Sequence, residues 1–124
     1  MELTALIVED EDGIRTLLDS YLNSQGIKTD AVETTAKGLE LLTQSTYDLV
    51  LTDLNQNPSG VRVYQAAMEK GMKAYIMTGG ASDHLMQEAE QVAGTNLIHK
   101  PFRPVRDIGP IIETLKTEKL KSQS

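Results

Sequence analysis

The chain has 124 residues, 40% of them hydrophobic, a formal net charge of -6 and no cysteine. This length suits a single domain with one core, and the absence of cysteine excludes disulfides and thiolate metal sites. The negative charge argues against direct nucleic-acid binding, and the sequence has neither a basic leader nor an apolar run long enough to span a bilayer. We therefore expect a cytoplasmic protein without membrane insertion, whose partners are proteins or small ions.

Short apolar runs alternate with segments of helical periodicity along the chain. The runs that predict strands are residues 3–8, 27–32, 49–51, 74–77 and 97–98. Apolar side chains recur at helical spacing over residues 14–22, 36–42, 61–68 and 85–92. Gly26 is the expected end of the first helix. Thr34 or Thr35 is the expected cap of the second helix, and Ser82 or Asp83 is the expected cap of the fourth.

The last helical segment contains two prolines, Pro104 and Pro110. A proline inside a helix removes a backbone donor and clashes with the preceding turn. We therefore predict a late start capped by Asp107, which places Pro110 in the first turn, where its missing N–H has no partner to lose. A kink at Pro110 is the alternative.

Strands that alternate with helices predict an α/β fold, in which a parallel sheet is covered on both faces because each right-handed crossover needs a helix. In a doubly wound sheet of this kind, ligands bind beyond the carboxyl ends of the strands. We expect the polar residues that follow the strands to meet in one crevice there. These residues are Glu9 and Asp10 after the first strand, Asp53 after the third, Thr78 after the fourth and Lys100 after the fifth.

Carboxylates gathered in a sheltered crevice repel one another, so they either raise each other's pKa values or hold a cation. Mg²⁺ is the natural cation, because Asp10, Asp53 and a backbone carbonyl near Asn55 offer the oxygen ligands that it prefers. A carboxylate beside Mg²⁺ is also a nucleophile toward phosphorus, which makes Asp53 a candidate for an aspartyl phosphate. Lys100 and Thr78 would supply positive charge and a hydroxyl donor to the phosphoryl oxygens.

Four motifs, in this order and at these intervals, resemble the receiver domain of two-component response regulators. The motifs are Leu6-Ile7-Val8-Glu9-Asp10, Asp53, Thr78 and Lys100-Pro101-Phe102. The resemblance implies a flavodoxin-like, doubly wound sheet of five parallel strands in the order 2-1-3-4-5, with five helices. It places the receiver domain at residues 1–120 and leaves a polar tail at residues 121–124.

The resemblance also implies the roles of the acidic residues. Asp53 is the phosphoacceptor, Asp10 is a direct Mg²⁺ ligand, and Glu9 acts on the metal through water. Asn55 contributes its main-chain oxygen to the metal.

On the phosphoryl side, the resemblance implies that Thr78 is the switch hydroxyl and that Lys100 contacts the phosphoryl group. The bond from Lys100 to Pro101 would be cis, a state that X-Pro bonds reach at modest cost. Receivers usually carry an aromatic residue three positions before this lysine, where the present chain has Leu97. Gating by an aromatic side chain is therefore expected to be absent.

Two loops also differ from the usual receiver pattern. The loop after Asp53 is one residue shorter, so Pro58 is displaced relative to the phosphoacceptor. Gly79 and Gly80 follow Thr78 where a small residue and a larger, often polar one are common. We expect these glycines to leave a phosphoryl group open to water or to the imidazole of a partner.

Taken together, the residues and the resemblance predict a switch that accepts a phosphoryl group from a histidine kinase or a histidine phosphotransfer protein. It would catalyse only its own phosphorylation and dephosphorylation. The signal would leave through protein contacts of the fourth helix, fifth strand and fifth helix, from a stand-alone receiver or one excised from a larger regulator. A degenerate receiver, acting as a phosphorylation-independent docking module, is the alternative. A small phosphatase with an aspartate nucleophile is the enzymatic alternative. Such enzymes usually carry a second acid two residues after the nucleophile, and Asn55 at that position argues against this function.

Overall fold

The structure, a computed structural model, describes residues 2–123. Within them, five parallel strands form one sheet in the order β2-β1-β3-β4-β5. The strands are β1 Leu3–Val8, β2 Ile27–Val32, β3 Leu49–Asp53, β4 Lys73–Thr78 and β5 Leu97–His99. The α-helices are α1 Asp12–Ser24, α2 Thr35–Gln44, α3 Val61–Glu69, α4 Asp83–Ala93 and α5 Gly109–Gln123. The predicted doubly wound α/β fold and its strand order are confirmed.

Each face of the sheet has its own apolar core, because successive side chains of a strand point to opposite faces. Val50 packs with the helices α2, α3 and α4, whereas its neighbours Leu49 and Leu51 pack with α1 and α5. The central strand β3 is buried along its whole length. This position explains the unbroken apolar run that leads to Asp53.

The predicted caps of α2 and α4 are confirmed, and in each case the first of the two candidate residues is the cap. Thr34 accepts a hydrogen bond from the N–H of Lys37 at 3.1 Å, and Ser82 accepts one from the N–H of Leu85 at 3.3 Å. Both side chains satisfy backbone donors that have no partner within the helix. These caps fix the residues at which α2 and α4 begin, each after a loop at the carboxyl edge of the sheet.

The last helix, α5, begins at Gly109, close to the predicted late start, and Pro110 lies in its first turn as predicted. A π-helical turn, Pro104–Ile108, precedes α5, and the Asp107 carboxylate accepts the N–H of Arg103 at 2.8 Å. Asp107 therefore caps the preceding π-helical turn and not α5, so the predicted capping residue is wrong while the late start of α5 is observed. Pro110 is accommodated by the preceding π-helical turn, in which the N–H of Gly109 bonds to the carbonyl of Pro104, five residues back.

Helix α5 continues through Gln123, so residues 121–123 of the predicted polar tail are helical, and residue 124 lies outside the described residues. None of the helices found over residues 2–123 has the length and apolar character needed to cross a lipid bilayer.

Candidate functional site

The carboxyl edge of the sheet brings three carboxylates together. Glu9 and Asp10 follow directly after β1, and Asp53 is the last residue of β3. Each offers an oxygen atom, and these three atoms lie within 4.8 Å of one another. The predicted convergence of these acidic residues is therefore observed.

Lys100 reaches into this acidic cluster from the loop after β5. Its Nζ lies 2.7 Å from Oε1 of Glu9 and 3.2 Å from Oδ1 of Asp53. The bond from Lys100 to Pro101 is cis, as the resemblance implied. One ammonium group thus faces two buried carboxylates.

Burial dominates the protonation of this cluster. Glu9 is fully buried, and burial raises its pKa to about 7, although the Lys100 ammonium pulls in the opposite direction. Burial also raises the pKa of Asp53, against the opposing pull of Lys100. Burial disfavours the charge on Lys100, but the hydrogen bond to Glu9 and the charges of both carboxylates outweigh this effect and raise the Lys100 pKa. The cluster therefore has more negative charge than one lysine neutralises.

The cluster suits a hard divalent cation. Its possible ligands are carboxylate oxygens, which Mg²⁺ prefers. Asp10 is exposed, whereas Glu9 and Asp53 are buried. A cation between these oxygens would favour the charged forms of Glu9 and Asp53, whose pKa values burial raises. The residues present thus fit the metal that the sequence predicts.

The loop after β3 is held against the site by backbone and side-chain contacts. The N–H of Asn55 lies 3.4 Å from Oδ1 of Asp53, and its side-chain amide donates to the carbonyl of Gly79 at 3.2 Å. Gly60 contacts the same strand end so closely that a Cβ atom there would lie 1.9 Å from the carbonyl oxygen of Asp53. No other residue type fits at this position without a shift of the backbone.

A side chain of the same loop also caps a neighbouring helix. The Oε1 atom of Gln56 accepts the backbone N–H of Thr35, the first residue of α2, at 2.7 Å. It also accepts the Thr35 hydroxyl at 3.2 Å. The shortened loop is therefore tied to α2, and its Asn57–Pro58 bond is cis, which the sequence analysis did not predict.

Thr78 ends β4 at the same edge, but its hydroxyl is directed toward α4. The Oγ1 atom donates to Sδ of Met86 at 2.9 Å, and the residue is 2% exposed. The carbonyl of Thr78 accepts the N–H of Lys100 at 2.7 Å, which continues the pairing of β4 and β5 up to the loop that carries Lys100. A Cβ atom on Gly79 would lie 2.8 Å from Cβ of Lys100, so this glycine lets the two loops approach each other.

The structure thus brings together four of the six predicted site residues, which are Glu9, Asp10, Asp53 and Lys100. Asn55 lies beside Asp53, and Thr78 lies at the same edge with its hydroxyl on Met86. Sequence reasoning did not single out Gly60 or Gln56, and it placed Met86 only within the apolar helical pattern of residues 85–92. Their contacts depend on how separate loops approach each other, and spacing along the chain does not encode that approach.

The fold and the site together define a doubly wound α/β domain with an acidic, lysine-paired pocket at the carboxyl edge of its sheet. A family model described as the response regulator receiver domain matches residues 5–108. The chain belongs to this family. The resemblance stated from the four motifs is therefore confirmed.

Two relatives from Bacillus subtilis (strain 168) differ in how much of their own length matches this chain. Sporulation initiation phosphotransferase F is 28% identical over 114 residues, which are 90% of this chain and 89% of that protein. Transcriptional regulatory protein ResD is 35% identical over 109 residues, which are 83% of this chain but only 44% of that protein.

Solved structures of receiver domains have the same architecture. A response regulator receiver protein from Sinorhizobium medicae WSM419 matches with a TM-score of 0.77 and 27% identity, over 93% of this chain and 95% of that one. A CheY-like receiver domain protein from Methanospirillum hungatei JF-1 matches with a TM-score of 0.82 and 23% identity, over 98% and 99% of the two chains. The second likeness concerns the fold alone.

Proposed function

We propose that this chain is a phosphoacceptor receiver, in which Asp53 takes a phosphoryl group from a histidine kinase or a histidine phosphotransfer protein. The observation that carries the proposal is the position of Asp53, buried at the strand end with Glu9, Asp10 and the Lys100 ammonium around it. Membership of the receiver family supports the same assignment.

In the transfer step, a carboxylate oxygen of Asp53 forms a bond to phosphorus while the bond from phosphorus to the donor imidazole nitrogen breaks. The imidazole leaves with the electron pair of that bond. The Nζ atom of Lys100 lies 3.2 Å from Oδ1 of Asp53, so it is close enough to contact the phosphoryl oxygens and offset part of their negative charge. The Thr78 hydroxyl completes the contacts by turning toward the same oxygens.

Glu9, Asp10, Asp53 and the main-chain oxygen of Asn55 would hold Mg²⁺ beside the reacting carboxylate. Bound there, the metal would supply positive charge that offsets the negative charge of the phosphoryl oxygens as they approach the acidic cluster. Asp10 is the residue best placed to receive it from solvent, because it is the exposed member of the cluster.

Phosphorylation adds roughly two negative charges at Asp53, and Thr78 and Lys100 rearrange around them. We propose that a downstream protein reads this change on the surface formed by α4, β5 and α5. The chain would work in the cytoplasm, either alone or as part of a larger regulator, and without direct contact to nucleic acid. Its receiver domain would correspond to residues 1–120.

Mass spectrometry after treatment with acetyl phosphate and Mg²⁺ tests the proposal. The parent protein should gain one phosphoryl group, and Asp53→Ala should gain none. Asp12→Asn is the matched control, because the Asp12 side chain is 88% exposed at the start of α1 and should remain unnecessary for modification. Equal labelling of the parent and Asp53→Ala would reject Asp53 as the acceptor.

The loop after β4 bears on how long the phosphoryl group survives. Gly79 and Gly80 place no side chain over the site, so we propose that water or a partner imidazole reaches the phosphoryl group readily. Gly80 has φ +71°, which strains most side chains, so Gly80→Asn is a better-tolerated variant than Gly80→Glu. A phosphoryl half-life that is the same in the parent and in both variants would remove support for this idea.

A docking module that works without phosphorylation is the second candidate, because Leu97 stands where receivers carry an aromatic switch residue. Such a module would share the fold and leave the acidic cluster unused. Beryllofluoride with Mg²⁺ mimics the phosphorylated state, so unchanged amide NMR signals around Asp53 would favour the docking module.

A further inference from the structure

We propose that Met86 is a positioning residue for Thr78: it holds the Thr78 hydroxyl on α4 in the resting protein and releases it when Asp53 is phosphorylated. This inference rests on the proposed function, and it adds a direct connection between the site and α4. It concerns one hydrogen bond between the last residue of β4 and the first turn of α4.

The Thr78 hydroxyl has one proton to donate, and Met86 receives it. The distance from Oγ1 to Sδ is 2.9 Å, and Thr78 is almost completely buried. A hydroxyl that donates to sulfur has no second proton for a phosphoryl oxygen. The thioether of Met86 and a phosphoryl group on Asp53 are therefore competing acceptors for the same proton.

The sulfur atom sits on a firmly placed part of the molecule. Met86 lies in the first turn of α4, where its N–H donates to the carbonyl of Ser82 at 3.0 Å. The Ser82 side chain caps the same turn, and the Met86 side chain packs against the core on this face of the sheet. When Thr78 turns toward Asp53, the first turn of α4 therefore loses a contact to β4.

Methionine has the properties that such a release requires. A thioether sulfur is a weak acceptor, so it satisfies a buried hydroxyl without outcompeting a charged phosphoryl oxygen. Leucine has a similar volume but no acceptor, and glutamine has a similar length with a stronger one. The affinity of the protein for a phosphoryl mimic should therefore rank Met86→Leu, parent, Met86→Gln, from tightest to weakest.

The test is a titration with beryllofluoride and Mg²⁺, followed by the amide NMR signals near Asp53. Met86→Leu should tighten the apparent Kd roughly two- to fivefold, the worth of one weak hydrogen bond, and Met86→Gln should weaken it by at least as much. The same two substitutions are then repeated in a Thr78→Val background. There both effects should vanish, because valine keeps the shape of threonine without the hydroxyl.

A second measurement concerns the resting protein and needs no ligand. Three-bond couplings to the Thr78 methyl carbon should report a single χ1 rotamer in the parent and in Met86→Gln, and rotamer averaging in Met86→Leu. The proposal is overturned by an averaged rotamer in the parent, by equal Kd values in the three proteins, or by Kd changes that persist in Thr78→Val.

The two measurements also separate this inference from the proposed function. A parent protein that gives no response to beryllofluoride would overturn the proposed function and the release of Thr78 with it. The couplings would still decide whether Met86 holds the Thr78 hydroxyl in the resting protein.

Discussion

The central strand β3 is flanked by two aspartates, Asp48 just before it and Asp53 at its end, and the two have opposite surroundings. Asp48 accepts the backbone N–H of Thr4 at 2.9 Å with one oxygen, and its other oxygen lies 3.2 Å from the ammonium of Lys119. Each oxygen of Asp48 thus has a donor. Asp53 shares Lys100 with Glu9, and burial raises the pKa of Asp53.

This contrast separates a structural carboxylate from the proposed phosphoacceptor. At the amino edge, donors match the carboxylate, so the group stabilises the fold and has nothing left to bind. At the carboxyl edge, three carboxylates share one ammonium group, and folding carries the cost of holding this excess of negative charge together. That excess is what a cation and a phosphoryl group can use, which is why the second edge carries the proposed function.

The largest expected effect comes from neutralising the two aspartates separately. Asp53→Asn should abolish phosphorylation by acetyl phosphate and leave the protein folded. Asp48→Asn should keep phosphorylation and lower the free energy of unfolding by about 1 kcal/mol, because it weakens the ion pair and hydrogen bonds at the other edge. Labelling stoichiometry and urea unfolding of both variants measure the two effects. The contrast fails if Asp48→Asn also loses phosphorylation while remaining folded.

Gly60→Ala is expected to have the next largest effect. The added Cβ would lie 1.9 Å from the carbonyl oxygen of Asp53, so the loop must move, at a cost of about 2–4 kcal/mol in unfolding free energy. Chemical denaturation measures this loss, and acetyl phosphate labelling reports the damage to the site. Gly13→Ala in α1 is the control, because no atom lies within 4 Å of its added Cβ. Equal stability of the two variants would contradict the close approach of Gly60 to Asp53.

Glu9→Gln should stabilise the metal-free protein at neutral pH. The pKa of Glu9 rises from its ordinary 4.5 to about 7 on folding, so the folded state binds more protons than the unfolded state in that window. The contribution of Glu9 to the free energy of unfolding is therefore fully present below pH 4.5 and is lost as the pH rises through 7. The variant should therefore match the parent in acid and exceed it by roughly 1–3 kcal/mol above pH 7.

Urea unfolding in EDTA across this pH range checks the prediction. Glu11→Gln, at an exposed neighbouring position, is the control and should follow the parent at every pH. Added Mg²⁺ should narrow the gap by stabilising the parent more than Glu9→Gln. A Glu9→Gln variant that is less stable than the parent at pH 8 would show that the cluster does not carry excess charge.

Gln56→Leu is expected to have a smaller effect than Gly60→Ala, because it removes one helix cap and leaves the backbone of the site in place. The N–H and hydroxyl of Thr35 would lose their acceptor in a buried position, at a cost of about 1–2 kcal/mol. Gln65→Leu, at an exposed position of α3, is the control for the change of residue type. Thermal unfolding of both proteins decides the point, and a loss no greater than that of Gln65→Leu would contradict the cap.

Much of this architecture could be predicted from local patterns. The unbroken apolar run before Asp53 identified the central strand, and the strand ends placed Glu9, Asp10 and Lys100 at one edge, because parallel strands bring their carboxyl ends together. The late start of α5 could be predicted from Pro110, but the π-helical turn before it could not, since an extended loop would satisfy the same proline. The contact between Thr78 and Met86 also escaped prediction, because helical spacing shows which face of α4 is apolar but not which atom a sulfur meets.

The comparison of the two edges is tested most directly by titrating the parent protein with Mg²⁺ and then beryllofluoride while the amide NMR signals of the whole chain are followed. We predict large shifts around Glu9, Asp10 and Asp53, with further shifts at Thr78 and Lys100, and little change around Asp48. Signals that stay unchanged at the carboxyl edge, or that move equally at both edges, would contradict the claim that excess acidic charge at Asp53 makes this edge the functional one.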